Sequence, residues 1–321
     1  MTHPPTSNPD GSEAADQDES AATEAETRAT LLERSKRDAA PLLKAFVQNP
    51  DRTLARRNGP LSVFVQHADL RALKAFLFLH AIISSGEGAN GWSTTLPLAA
   101  WARAFDTTKS AELRSASSAA TKILSRLVDR KLISRGRVGR ARKITVTLLR
   151  PDGSGAAYTR PGKGNDDRFL KLSNAYWTEG WHEKLDLPAT AMLLVALHEK
   201  DGFELVTERV PDWYGWSADT AERGLKTLEA HGLIRVDKRY KKTPLSPSGR
   251  TLVNIYTLIG PFAHPSPTAA AKSSTSKKTT TTKKTTAKKS RKKTLVKRAS
   301  THATKRKQSS APTSSRTGAG E

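Results

Sequence analysis

Apolar residues recur at helical spacing in two well-separated stretches of this chain. Leu113, Ala116, Ala120, Ile123, Leu124 and Leu127 share one stripe at about 100° per residue, and Ala221, Leu225 and Leu228 share another. Each stretch runs into a Leu-Ile pair, Leu132-Ile133 or Leu233-Ile234, and then into strand-like residues such as Ile144, Val146 and Leu148, predicting a β-hairpin. Upstream of each stands a run that is apolar on nearly every side: Leu70, Leu73, Phe76, Leu77, Leu79 and Ile83 in one case, Leu187 to His198 in the other. Such runs predict helices at the centre of a fold. A short helix fits between the central and amphipathic helices each time. In the first case Thr95 is its expected cap, Pro97 lies in its first turn, and Trp101 and Phe105 face inward. In the second it falls within Val206–Tyr214. Ser217 is the expected cap of the later amphipathic helix, and Gly232 the left-handed residue after it.

The two stretches align as copies. Ala120, Leu124, Leu127, Leu132 and Ile133 match Ala221, Leu225, Leu228, Leu233 and Ile234 at an offset of 101 residues. Phe76 to His80 faces Leu194 to His198 at an offset of 118, and Thr147-Leu148 faces Thr257-Leu258 at 110. Offsets that change between elements place the insertions in loops. Each copy reads as central helix, shorter helix, long amphipathic helix and hairpin.

Composition divides the rest. The chain has 321 residues, with 54 Lys and Arg against 31 Asp and Glu. Residues 1–27 carry seven acids and no Lys or Arg and read as an acidic disordered tail. Residues 28–59 read as a helical extension, with a helix over Arg28–Val47 broken at Pro41. Its Leu31, Leu32, Leu42, Leu43, Phe46 and Val47 would either brace a domain or pair two subunits in a homodimer. The copies occupy 60–150 and 168–262, joined by 151–167, a flexible linker rich in Gly and polar residues. Residues 263–321, with paired lysines and almost nothing apolar, read as a disordered tail that either keeps the chain soluble or binds phosphates non-specifically. No window approaches the roughly 18 apolar residues of a membrane span. Zero Cys excludes disulfides and thiolate zinc sites. What remains is a basic chain suited to a polyanion.

The cations concentrate where each copy turns outward. Opposite the first apolar stripe lie Arg114, Ser118, Lys122 and Ser125, flanked by Ser117 and Thr121. From Arg126 to Arg150 there are nine basic residues and one acid. The second copy presents Asp219, Thr220, Arg223, Lys226 and Thr227, then six basic residues and Asp237 alone in its hairpin. This order of elements, with a basic hairpin, resembles the winged-helix family, carried by Ala120 to Ile133 with Arg135 to Lys143 and by Ala221 to Ile234 with Arg235 to Arg250. The resemblance implies mainly α architecture with small hairpins (α+β), two winged-helix domains in tandem, and double-stranded DNA as partner. It implies that the third helix of each copy enters the major groove while the wing reaches phosphates or the minor groove. Base-facing candidates are then Arg114, Ser117, Ser118, Thr121 and Lys122, with Lys109 before them, and Asp219, Thr220, Arg223 and Lys226. Backbone contacts would be Arg137, Arg140, Arg142 and Lys143, and Lys238, Arg239, Lys241 and Lys242.

Transcription regulation is the first expectation, and plasmid-type replication initiation or nucleoid packing the alternatives, in each case cytoplasmic and on the nucleoid. The aromatic residues Tyr176, Trp177, Trp181, Trp213, Tyr214 and Trp216 are expected in the core rather than under bases. No catalytic constellation, metal site or cofactor is expected. The eight histidines are scattered, and His80 and His198 read as structural residues at helix C-termini.

Overall fold

The structure, a computed structural model, describes residues 21–86, 91–109, 113–139, 143–162 and 168–264. Most of the acidic segment, some of the linker and the Lys-rich tail lie outside those residues. Thr23 opens the first helix, α1 (Glu24–Ser35), through a capping box. Its hydroxyl accepts from the Glu26 N–H, and the Glu26 carboxylate accepts from the Thr23 N–H at 2.8 Å. Helical structure thus begins inside the stretch expected to be tail.

The expected helix over Arg28–Val47 ends at Ser35. Lys36 takes a left-handed conformation (φ 52°), and Ala39–Leu43 form a strand, β1, paired antiparallel with β5 (Phe169–Ser173) in a two-stranded sheet. Pro41 breaks no helix; it sits opposite Lys171 in this narrow sheet, where a missing N–H costs little. Leu31, Leu32, Leu42, Leu43, Phe46 and Val47 are all buried within the chain. Of the two roles expected for them, they brace the fold.

Two sets of elements then follow in the same order. The first comprises helices α2 (Leu61–Gln66) and α3 (Leu70–Ile82), strand β2 (Ser93–Pro97), helices α4 (Leu98–Ala104) and α5 (Leu113–Asp129), and strands β3 (Ile133–Val138) and β4 (Lys143–Leu148). After β5 and the single turns α6 (Ala175–Thr178) and α7 (Trp181–Lys184) comes the second: helix α8 (Leu187–His198), strand β6 (Phe203–Glu204), helices α9 (Val210–Tyr214) and α10 (Ala218–Ala230), and strands β7 (Ile234–Lys242) and β8 (Arg250–Leu258). The sheets match too, in order β2-β4-β3 and β6-β8-β7, all antiparallel. Equivalent backbone bonds recur at the sequence offsets. Leu149 N donates to Leu132 O and Ile259 N to Leu233 O, both at 3.0 Å. Gly232 (φ 67°) is left-handed as expected, and Lys131 takes the same conformation (φ 57°) in the first copy.

Thr95 caps no helix. It lies in β2, where its hydroxyl meets that of Thr145 at 2.6 Å, and Pro97 occupies the cap position of α4. Trp101 and Phe105 do face inward, and Trp101 Nε1 donates to Ile144 O at 3.1 Å, fastening α4 to β4. Ser217 caps α10 through Thr220 N at 3.2 Å.

The copies are not separate domains on a flexible linker. The described residues form one compact unit with a continuous core. The sheet of β1 and β5 spans it, Phe78 of α3 packs its ring edge-on to Trp177 at 5.1 Å, and Gln66 donates to Gly215 O at 2.8 Å. Arg57 N donates to Asp212 O at 2.7 Å, and Lys109 meets Glu183 at 2.6 Å. Among the described linker residues, Pro151, Tyr158 and Pro161 are buried and Ala157 bridges to Leu149. Most of the aromatic residues are core, as their size demands: Tyr176, Trp177, Tyr214 and Trp216 are buried, and Trp181 and Trp213 half-buried.

His80 is a structural residue in the last turn of α3, as expected. Its imidazole is buried between Phe76 and Tyr158, and neither ring nitrogen makes a hydrogen bond among the described residues. Burial, helped by the nearby Arg37 charge, lowers its pKa to about 3. The fold therefore binds the neutral ring and resists its proton. Stability from this residue is complete above the unfolded pKa of about 6.5 and falls toward pH 3 by about 1.4 kcal/mol per unit. His80→Leu, which keeps volume without a titrating group, is expected to flatten the loss of denaturant midpoint between pH 6.5 and pH 4. An unchanged slope would show that other groups govern it. His198 fits its expectation too, with Nδ1 3.1 Å from the Glu199 carboxylate just past the end of α8.

Candidate nucleic-acid interface

Helix α5 is seated from three sides. Ala116, Ala120, Ile123, Leu124 and Leu127 are buried on its inner stripe. At its start the Thr107 hydroxyl bonds Ala102 O at 2.9 Å and Ala116 O at 3.0 Å, locking the turn from α4. Toward its far end Arg126 grips Asp69 through Nε at 2.8 Å and Nη2 at 3.1 Å, while Arg130 reaches the same carboxylate at 2.8 Å. Burial pushes the Asp69 pKa up, but the bonds from Arg126, Arg130 and Ala72 N outweigh it and hold the carboxyl below its usual range. This clamp orients α5 on α3, whose first turn Asp69 caps.

The outer face of α5 is thereby fixed in solvent. Arg114, Ser118 and Lys122 are exposed, with Ser117, Thr121 and Ser125 half-buried beside them. Neither Arg114 nor Lys122 has a carboxylate partner among the described residues. The Thr121 and Ser125 hydroxyls donate to Ser117 O and Thr121 O at 2.9 and 3.0 Å, and each oxygen can still accept. The hairpin joins this face. In β3, Arg135 and Arg137 alternate with the buried Ile133 on the side that packs on the helices, and Arg135 donates to Thr121 O at 3.2 Å. Arg135 was not among the expected contacts, although its position two residues after Ile133 carried that information. Lys143, opposite Val138, lies on the other side of the ribbon. Arg140 and Arg142 lie outside the described residues. Lys109 is held by Glu183 and by Asp106 at 3.7 Å; the Glu183 bond raises its pKa, and it serves as a tie between the copies.

The second copy is built differently. On α10, Arg223 is exposed and unpaired among the described residues, but Lys226 meets Glu222 at 2.8 Å, and Asp219 and Glu229 are exposed nearby. The Thr220 hydroxyl is engaged with Ser217 at 2.9 Å in the cap. Its cations gather instead on the longer ribbon. Lys238 and Lys242 lie on the face that, at the base, carries buried Ile234; Arg239 and Lys241 lie on the opposite face, where Lys241 meets Glu204 at 2.7 Å.

A cleft of about 1390 Å³ opens between loop 48–60 and the second copy. The Arg150–Asp152, Arg209–Asp212 and Lys241–Glu204 pairs line it, beside Arg52, Arg168 and Lys200. Among the described residues no three His, Asp or Glu side chains gather into a group able to hold a metal, and no helix is long and apolar enough to cross a membrane. Set against known protein families, characterised proteins and solved structures, the chain matches none of them.

Proposed function

We propose that this chain binds double-stranded DNA through two winged-helix-like copies, acting as a transcription regulator that reads a bipartite site. The observation that carries the reading is the outer face of α5, where Arg114 and Lys122, unpaired among the described residues, hydroxyl oxygens able to accept and the Arg135–Arg137 edge of the ribbon share one side. A helix of about 10–12 Å diameter fits a major groove about 12 Å wide. There, arginine and lysine suit guanine edges, and hydroxyl acceptors suit the amino groups of adenine or cytosine. The second copy, with a mixed-charge helix and a longer cationic ribbon, contributes more through its wing, by phosphate attraction. Rigid fusion of two unequal copies also favours a second reading, initiation of plasmid-type replication at repeated origin sites. Neither reading requires a catalytic group or a cofactor.

Selection of bound fragments from a random duplex pool, with and without residues 264–321, tests this. One enriched bipartite motif is expected in both arms. Enrichment of nothing would instead mark a packing protein governed by its tail. On the selected site Arg114→Ala, Lys122→Ala and Arg223→Ala are each expected to cost about 1–3 kcal/mol in anisotropy titrations. Lys226→Ala, whose charge Glu222 already answers, should leave affinity nearly unchanged.

A further inference from the structure

Exposed large apolar side chains are few among the described residues, and half of them fall in one hairpin. Of the six, Tyr240, Leu245 and Leu252 belong to the hairpin of β7 and β8. Tyr240 is 60% exposed and Leu252 48%, and the two stand directly opposite each other in the strand register. Opposed residues place their Cβ atoms about 5 Å apart, so ring and isobutyl group form one apolar ridge across the ribbon. Alternation puts this ridge on the face that carries buried Ile234, Tyr256 and Leu258 at the base, beyond the end of the core.

The ridge is framed by cations. Lys238, Lys242 and Arg250 share its face, and the Arg250 guanidinium stands 4.5 Å over the Tyr240 ring. Asp237 lies on the opposite face, bound to Arg235 at 2.9 Å. An apolar ridge between cations on a face without carboxylates suits neither a hydrophobic protein groove nor a second copy, which would bring those cations together. It suits a polyanion with an apolar interior. Lys238 and Lys242 lie four residues apart, about 13 Å along the strand, against a minor groove about 6 Å wide. With the ridge in that groove, the two lysines reach the phosphates on either wall.

We infer that the second hairpin is a wedge: Tyr240 and Leu252 enter the minor groove beside the second half-site, pry open a single base step and bend the duplex. The inference rests on the DNA-binding reading above and deepens it. Apolar insertion at a base step unstacks it and kinks the helix; a wing that only held phosphates would do neither.

The test uses the full chain and the selected duplex, with 2-aminopurine placed across the second half-site and dyes on the two ends. Wild type is expected to raise 2-aminopurine fluorescence several-fold at one step and to shorten the end-to-end distance. The Tyr240→Ala, Leu252→Ala double variant alters exposed positions only. It should keep its melting temperature, bind within about tenfold of wild type, and lose both signals. Lys238→Ala should weaken binding yet bend the DNA it holds. A double variant that binds and still bends overturns the wedge while leaving the DNA reading intact, and so does one whose oligomeric state changes in sedimentation. A wild-type chain that binds no duplex overturns both.

Discussion

Inserting 5 bp between the two half-sites of the selected duplex is expected to lower affinity by about 100-fold or more, down to what one copy holds alone. The insertion moves one half-site about 17 Å along the axis and turns it roughly half way round the helix. A chain with a loose linker would follow. A random coil of about 17 residues spans about 20–25 Å and keeps the second copy at millimolar effective concentration, so affinity would change little. Here the copies cannot separate without cost. The β1–β5 pairing, the Phe78–Trp177 contact, the Gln66–Gly215 and Arg57–Asp212 bonds and the Lys109–Glu183 pair would have to break, and a continuous core would have to open. A 10 bp insertion restores the angle but leaves a displacement of about 34 Å, so it should not restore affinity. Anisotropy titrations across a spacer series decide the matter. A flat series would mean that only one copy touches the duplex, or that each copy binds a separate one.

How much of this was legible in the residues differs by element. The stripe from Ala116 to Leu127 fixes the buried side of α5, and hence the exposed row of Arg114, Ser118 and Lys122, because helical period and burial are local properties. The matched Leu-Ile pairs likewise locate the hairpins. The β1 strand was illegible because its partner lies about 130 residues away and its five residues, Ala39 to Leu43, hold a Pro and two adjacent leucines that imitate a broken helix. β2 was hidden by similar brevity, since Thr95 before Pro97 has the composition of a helix start. Tyr158 shows why the linker misled: one buried ring is enough to pin a Gly-rich segment whose average composition is that of a tether. Lys226 and Lys241 carry a different lesson. Counting cations along an element does not reveal which of them a neighbouring Glu has already answered.

Gly224→Ala is expected to destabilise the whole unit by about 3 kcal/mol, a large share of the 5–15 kcal/mol that usually separates folded from unfolded states. In an unconstrained helix the change would be favourable, since Ala exceeds Gly in helix propensity by about 1 kcal/mol. Gly224, however, lies on the buried side of α10 at its crossing with α8. A methyl group there would stand 2.4 Å from Pro188 O and 2.7 Å from Met192 Cγ. The first of these is backbone in the opening turn of α8, braced by the Asp186 cap on Ala189 N at 2.9 Å, so it does not yield as a side-chain tip would. The helices must move apart, and Ala221, Leu225 and Leu228 lose contact together. A glycine inside a helical run is the sequence mark of such an approach. Gly136→Ala supplies the control: in β3 a methyl group meets nothing within 4 Å, and stability should stay the same or rise slightly. Denaturant unfolding of both variants separates the cases. If Gly224→Ala were as stable as wild type, α10 would not be seated closely on α8, and the outward setting of Arg223 would lose its support.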